Sequence, residues 1–580
     1  MKFNNKYFAI ILLMLLFTTS CKDYLDTEPQ GSVSLTGTPT VEEAEGFVIA
    51  AYAGIGNDNM NGPTTSMWAY GSVRSDDAYK GGGSVDDIGD LNLIEQYNLV
   101  RPDLSWMLPV TWEYAYAAIS RANIALRTLN QLSDDEYPLR KVRIAEARFL
   151  RAHSYFVLKI LYKYIPYITE DLSNDEILQV SNREFTDDEL WNKIADDFQF
   201  GVDNLPEQQI EVGRANKYAA IAYLAKVRLY QAYEQDDNNQ VISINHTRLQ
   251  EVVSLTDMVI NSGKYNLEPD FANNFLYGYD NGPESIFAIQ YSNSDGTSVG
   301  RNSYVTGVNY PMAPQYGCCG FHQPSQNLVN AFTTGSDGLP KFNTFNDAVI
   351  TASDITPDGV TVDPRIDHTI GLDGHPYKYR NEEGYIYKES SWVRVPAVYG
   401  GYMSMKEQQA ADCPCYRKIN AFIGTSKNTD IIRYDDVLLW QAEAYIELGQ
   451  QEKAMPLINQ IRERAANSTG RLHFADGTPP SNYLIKQYDG VNLPWTQENA
   501  RKALQWERRL EFALESPRFF DLVRWGIAET ELNAYIAKEK QVRSFLSQAH
   551  FTAGRDEYFP IPQREIDFTK GLYQQNVGYN

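Results

Sequence analysis

Three stretches of this 580-residue chain bring aromatic rings, carboxylates and amides within a few positions of one another. The first holds Asn57-Asp58-Asn59-Met60-Asn61, then Trp68-Ala69-Tyr70, then Arg74 to Gly83, which contains Asp77, Tyr79 and three successive glycines. The second is Tyr316 with the adjacent pair Cys318-Cys319, and the third is Trp392, Arg394, Tyr399 and Tyr402, just before Cys413 and Cys415. A flat aromatic face suits the C–H side of a sugar ring, and paired polar groups orient its hydroxyls. The candidate contact residues are therefore Asp58, Asn59, Trp68, Tyr70, Asp77, Tyr79, Cys318, Cys319, Arg394, Tyr399 and Tyr402. A packing role competes for each of them, and the first stretch reads equally well as an ordered surface loop.

Chemistry on a bound molecule is not indicated. Carboxylates are abundant, but no spacing marks an acid–base pair for glycoside hydrolysis. The sequence has no His-Glu-x-x-His, no Gly-x-Ser-x-Gly and no phosphate-cradling glycine loop, and its seven histidines are scattered. Asp134-Asp135 and Asp236-Asp237 lack the calcium-loop pattern. No cofactor or metal is expected. A net charge of −23 argues against nucleic acid and polyanions, which need a positive field. Neutral ligands fit better, with cation-bridged acidic ones left open.

Residues 1–20 have the pattern of a processing signal: Lys2 and Lys6, then ten apolar residues from Phe8 to Phe17. As helix that run spans only about 15 Å, too little to cross a bilayer. Thr18-Thr19-Ser20-Cys21 resembles the lipobox of bacterial lipoproteins, with Cys21 acylated; a plain secretory signal is the alternative. Residues 21–40 would form a polar tether, and acyl chains would hold the body at a membrane. The remaining cysteines, Cys318, Cys319, Cys413 and Cys415, have poor spacing for zinc, so disulfides are expected in an exported protein. Pairing between the segments would staple distant loops and a bond between neighbours would be strained; the sequence leaves the choice open.

Helices must position these groups. In 141–164, Val142, Ala145, Phe149, Ala152, Phe156 and Ile160 trace one face, and Pro166 is expected to stop it. Similar spacing predicts helices over 112–129, 189–205, 215–233, 248–262, 434–448 and 452–466, with Gly263 as a C-cap. The stretch Trp440-x-Ala442-x-Ala444-Tyr445-x-x-Leu448-Gly449 looks like a tetratricopeptide helix pair. The expected fold is mostly α, a solenoid of about four helix pairs with a large loop-rich insertion. Its parts are a helical scaffold with ligand loops (41–263), a loop-rich lobe (264–430) and C-terminal helices with a tail (431–580).

Ala145-Glu146-Ala147-Arg148-Phe149-Leu150-Arg151-Ala152 with Tyr155, Leu158 and Pro166 resembles the hallmark helix of the SusD/RagB family. The similarity continues through Gly213-Arg214-Ala215, Asp363-Pro364-Arg365, Arg433 to Leu439, Glu507-Arg508-Arg509-Leu510-Glu511, Arg518 to Trp525, Pro560-Ile561-Pro562 and Gln575-Asn576. The resemblance implies a lipoprotein lid on a SusC-like TonB-dependent β-barrel of the outer membrane. Such a lid captures glycans, or peptides in RagB-like members, without catalysis; a surface glycoside hydrolase is the remaining alternative. Arg518, Asp521 and Arg524 are expected to pin helices rather than touch sugar.

Overall fold

A computed structural model describes residues 38–56, 66–99, 105–293, 295–296 and 301–579. Cys21, Asp58 and Asn59 lie outside the described residues. Six principal helices come first: α1 (Val41–Ile55), α2 (Met107–Leu129), α3 (Arg140–Tyr162), α4 (Asp187–Asn204), α5 (Lys217–Ala232) and α6 (His246–Ile260). Polar caps set their starts. Thr40 and Thr186 form capping boxes with Glu43 and Glu189, while Asn216 and Asn245 accept from the backbone N–H of Ala219 and Arg248. Each satisfies a first-turn donor with no partner inside the helix, worth about 1 kcal/mol.

Boundaries depart from the spacing in three places. α2 begins at Met107 rather than Trp112, because Pro109 falls in the first turn, where its missing N–H costs nothing. α3 ends at Tyr162, where Lys163 turns out at φ 61°, before Pro166 is reached. α6 is capped by Asn261, and Gly263 takes the left-handed turn two residues later at φ 64°.

Beyond the lobe come α7 (Tyr434–Glu447), α8 (Gln451–Asn467), α9 (Gln497–Glu511), α10 (Pro517–Arg524) and α11 (Ala528–Glu539). Each of α1 to α8 packs on its successor, α6 packs on α7 across the whole lobe insertion, and α9 packs on both α7 and α8. Small residues allow the close crossings. A Cβ on Gly201 of α4 would lie 3.0 Å from Ala220 Cβ of α5, whose buried face includes Ala219, Ala222 and Ala225. The result is a mostly α, tetratricopeptide-like scaffold, as the spacing predicted.

Residues 264–430 carry short helices and two-stranded ladders. With β1 (Ala78–Gly81), β2 (Ser285–Ile289), β3 (Phe321–Pro324) and β4 (Thr429–Arg433), two antiparallel ladders matter here. β2 pairs with β4, Thr429 opposite Ile289, where the chain enters and leaves the lobe. β1 pairs with β3, Ala78 opposite Pro324 and Gly81 opposite Phe321, so the N-terminal loops are bound into the lobe.

Buried arginines join the parts. Arg365, fully buried, meets Asp363 at 2.7 Å, Glu507 at 2.6 Å and Glu511 at 2.8 Å. Arg518 holds Asp76 at 2.8 Å, and Asp521 sits between Arg508 (2.7 Å) and Arg524 (2.9 Å). The tail closes back on the scaffold. Asn182 and Gln574 exchange two hydrogen bonds of 2.9 Å, and Asn576 Nδ2 donates to the carbonyls of Tyr162 and Phe559 at 2.8 Å.

Candidate functional site

Most of the aromatic residues predicted to floor a binding site are core. Trp68, Tyr70, Tyr79 and Tyr399 are fully buried, and Tyr402 is 8% exposed. Trp68 Nε1 donates to the Val305 carbonyl at 3.0 Å, Tyr70 OH meets Thr111 Oγ1, and Tyr79 OH donates to Glu539 at 2.6 Å. Asp77 is buried against Arg509 at 3.0 Å. Tyr399 packs on Phe545 with ring centres 4.9 Å apart, and Tyr402 OH is taken up by Gln326 at 3.1 Å. For Tyr79 the reason is the β1–β3 ladder: every residue of β1 is buried once the strand pairs with the lobe. Tyr316 and Trp392 belong to a separate aromatic core with Tyr310, Tyr377 and Tyr387.

Arg394 and Cys318 stay at the surface, and the structure brings them together. Arg394 Nη1 donates to Asp87 Oδ2 at 2.8 Å and lies 3.4 Å from the Cys319 carbonyl. Its guanidinium is close enough to Gly83 that a Cβ there would sit 2.8 Å from Cζ. The loop of residues 82–87 is held from below. Gly82 N–H donates to the Gly320 carbonyl at 2.8 Å, and Lys80 Nζ donates to the carbonyls of Ser84 (2.7 Å) and Asp87 (2.6 Å). Gly82 needs its φ of 82°, and its Cβ position is filled by the Phe321 ring. Burial lowers the Lys80 ammonium pKa and raises that of the neighbouring Glu95 carboxyl.

The four cysteines pair within their own segments, Cys318 with Cys319 across a cis peptide bond and Cys413 with Cys415. The Cys318–Cys319 ring hangs on the lobe backbone: Cys319 N–H donates to Val308 O at 3.2 Å and Gly320 N–H to Tyr310 O at 2.9 Å. Cys318 is half-buried next to exposed Gly317, and Ser84, Val85 and Asp86 are exposed on the loop that Asp87 ties to Arg394. This face combines one bidentate cation, two acidic side chains and a small apolar centre. Asp86, Asp87 and Ser84 were missed because nothing in a Ser-Val-Asp-Asp run separates a ligand loop from any polar turn. Tyr277 and Tyr279, 42% and 41% exposed, were missed as well; Arg471 donates to Tyr279 OH at 3.1 Å.

Among the described residues, the Ser481–Asp367–His375 cluster is not arranged to activate its serine. Asp367 lies between His375 (2.6 Å) and the hydroxyls of Ser481 (2.6 Å) and Tyr483 (2.8 Å), so the serine donates to the carboxylate instead of to the imidazole. Among the described residues, one trio has metal-donor spacing, Glu284, Asp435 and Glu511. Arg464 meets Glu284 at 2.9 Å and Arg365 meets Glu511 at 2.8 Å, so cations already fill that role. Burial pushes the Asp435 carboxyl far up, and it shares a hydrogen bond with Glu511.

Residues 283–579 match the model of the SusD family, and residues 23–229 match one described as starch-binding, associating with outer membrane. A SusD-like protein P2 of Formosa agariphila is 25% identical over 99% of this chain and all of its own length. A SusD homolog of Bacteroides thetaiotaomicron superposes with a TM-score of 0.68 at 19% identity, covering 94% of this chain and 99% of its own. A laminarin-binding SusD-like protein does so at 0.65 and 23%, and surface glycan-binding protein A of Bacteroides thetaiotaomicron, solved with laminarihexaose, at 0.60 and 20%; each is covered in full by 93% of this chain. The structural likenesses establish the shared fold, and the family model spans just over half of the sequence. With its helical scaffold and loop-rich lobe, this chain belongs to the SusD family.

Proposed function

We propose that this protein captures an oligosaccharide at the outer face of an outer membrane, tethered through Cys21, and delivers it uncleaved to a SusC-like TonB-dependent barrel. Residues 1–20 would be removed, 21–40 would form the leash, and 41–263 with 431–580 would carry the scaffold that meets the barrel. The lobe, 264–430, would present the ligand face with the 82–87 loop.

The observation that carries this reading is the exposed Arg394–Asp87 pair beside Cys318. A planar guanidinium and a carboxylate at fixed spacing suit the vicinal hydroxyls of a sugar; the Cys319 carbonyl meets the arginine and the Gly83 N–H meets the carboxylate. Relatives named for laminarin and glycan binding support a neutral saccharide, as does the net charge of −23. Asp58, Asn59 and the lipid attachment at Cys21 remain part of the proposal.

Calorimetry with linear β-glucan and α-glucan oligosaccharides, alongside peptides of similar size, tests it. Saccharide binding without release of reducing ends is the expected result. Binding to peptides alone would transfer the chain to peptide capture, and new reducing ends would make it a hydrolase.

A further inference from the structure

We infer that the Cys318–Cys319 disulfide ring itself is the floor of the saccharide site, in place of an aromatic side chain, and that reducing it switches binding off. The inference rests on the glycan reading above and adds to it a contact surface and a redox dependence.

Four aromatic rings packed near the Cys318–Cys319 pair are buried: Phe321 at 2% exposure, Tyr316 at 0%, Trp392 at 3% and Tyr399 at 0%. None can offer a flat face to a ligand. The half-buried Cys318 and its partner lie instead between two polar groups: Arg394, which reaches the Cys319 carbonyl at 3.4 Å and pairs with Asp87, and Lys418, whose Nζ would be 3.4 Å from a Cβ on Gly317. Two adjacent cysteines joined through sulfur form a small closed ring with one polarisable edge, which contacts C–H groups well.

Its polar atoms are already engaged inward or sideways. Cys319 N–H points to Val308 O, and the Cys319 carbonyl faces Arg394. The segment is also immobilised below by Tyr316 OH donating to Gln409 O at 2.9 Å, and by Lys418 Nζ donating to Tyr316 O at 3.2 Å. A rigid apolar spot beside a fork of donors and a carboxylate is the combination that orients one face of a sugar.

Reduction removes the ring. With a phosphine as reductant, the S–S bond breaks, phosphorus is oxidised to the phosphine oxide by taking the oxygen of one water, and the two protons of that water end on the two thiols. Each thiol then rotates independently, and the ordered platform becomes two mobile side chains.

The experiment measures saccharide binding by the purified body before and after phosphine treatment, with thiol titration to verify reduction and thermal unfolding to verify the fold. The C413S/C415S variant isolates the second disulfide, and C318S/C319S lacks the ring outright. The expected outcome is at least tenfold weaker binding after reduction for wild type and C413S/C415S alike, restored on reoxidation. C318S/C319S should bind at the weak level throughout. Unchanged affinity of the verified reduced, folded protein would overturn the inference and leave the glycan reading standing. Failure of the oxidised wild type to bind any saccharide would instead remove the reading beneath it.

Discussion

Arg394 reaches back across 307 positions of sequence to place Nη1 2.8 Å from Asp87 Oδ2. The same oxygen accepts the Gly83 N–H at 2.8 Å, so the carboxylate is oriented by its own loop before the arginine arrives. The pair is partly exposed, with side chains at 40% and 31%. Such pairs contribute about 0–1 kcal/mol to stability. R394A and D87N should therefore unfold at nearly the wild-type denaturant midpoint while binding saccharide at least tenfold more weakly. R394K keeps the charge without the planar fork and should bind with an affinity between those of wild type and R394A. Calorimetry and urea titration on the same samples separate the two effects.

Trp68 and Tyr399 make the opposite case. W68A removes a fully buried indole and its hydrogen bond to Val305, and should cost about 3–5 kcal/mol of stability. Tyr399 OH is buried with no hydrogen-bond partner among the described residues. Y399F should be neutral or slightly stabilising, since an unsatisfied hydroxyl is removed. Saccharide affinity per folded molecule should be unchanged in both, measured after correcting for active fraction.

The arginine at the centre of the ionic core should behave as a keystone. R365A leaves Asp363, Glu507 and Glu511 buried with one cation fewer, and should destabilise by about 3–5 kcal/mol. Guanidinium unfolding followed by fluorescence gives the value. A loss under 1 kcal/mol would mean the carboxylates take up protons instead.

His153 supplies a pH signature. It is buried with Nδ1 2.8 Å from Tyr223 OH, and burial pulls its pKa from 6.5 down to about 3. The unfolded chain therefore binds the proton first as pH falls. Its contribution to stability is present in full above about 6.5 and is lost progressively between there and 3, on the order of 5 kcal/mol at most. H153Q should flatten the slope of urea midpoint against pH across that window; an unchanged slope would exclude the histidine as its source.

The helical scaffold was legible because α3 and α5 repeat their apolar and small residues at helical spacing and carry caps that any sequence reader can see. The proposed ligand face was only half legible. Arg394 and Cys318 stood out by residue type, yet Trp68, Tyr70 and Tyr79 did too, and those are core. Tyrosine serves a buried cluster and an exposed platform with the same chemistry, so composition cannot separate them. For Tyr79 the deciding fact is the β1–β3 pairing, a contact between segments more than two hundred positions apart that no local pattern announces. The within-segment pairing of the cysteines was equally invisible, since spacing alone permitted every connectivity.

The clasp made by Asn576 with Tyr162 and Phe559, and by Gln574 with Asn182, dictates an order of events. Asn182 and Gln574 are 392 positions apart and Tyr162 and Asn576 are 414, so these contacts cannot form until residues 574–576 have left the ribosome. A polypeptide built this way reaches its closed state only once residues 574–576 can pair with the first helices, so closure waits on contacts of very long sequence separation.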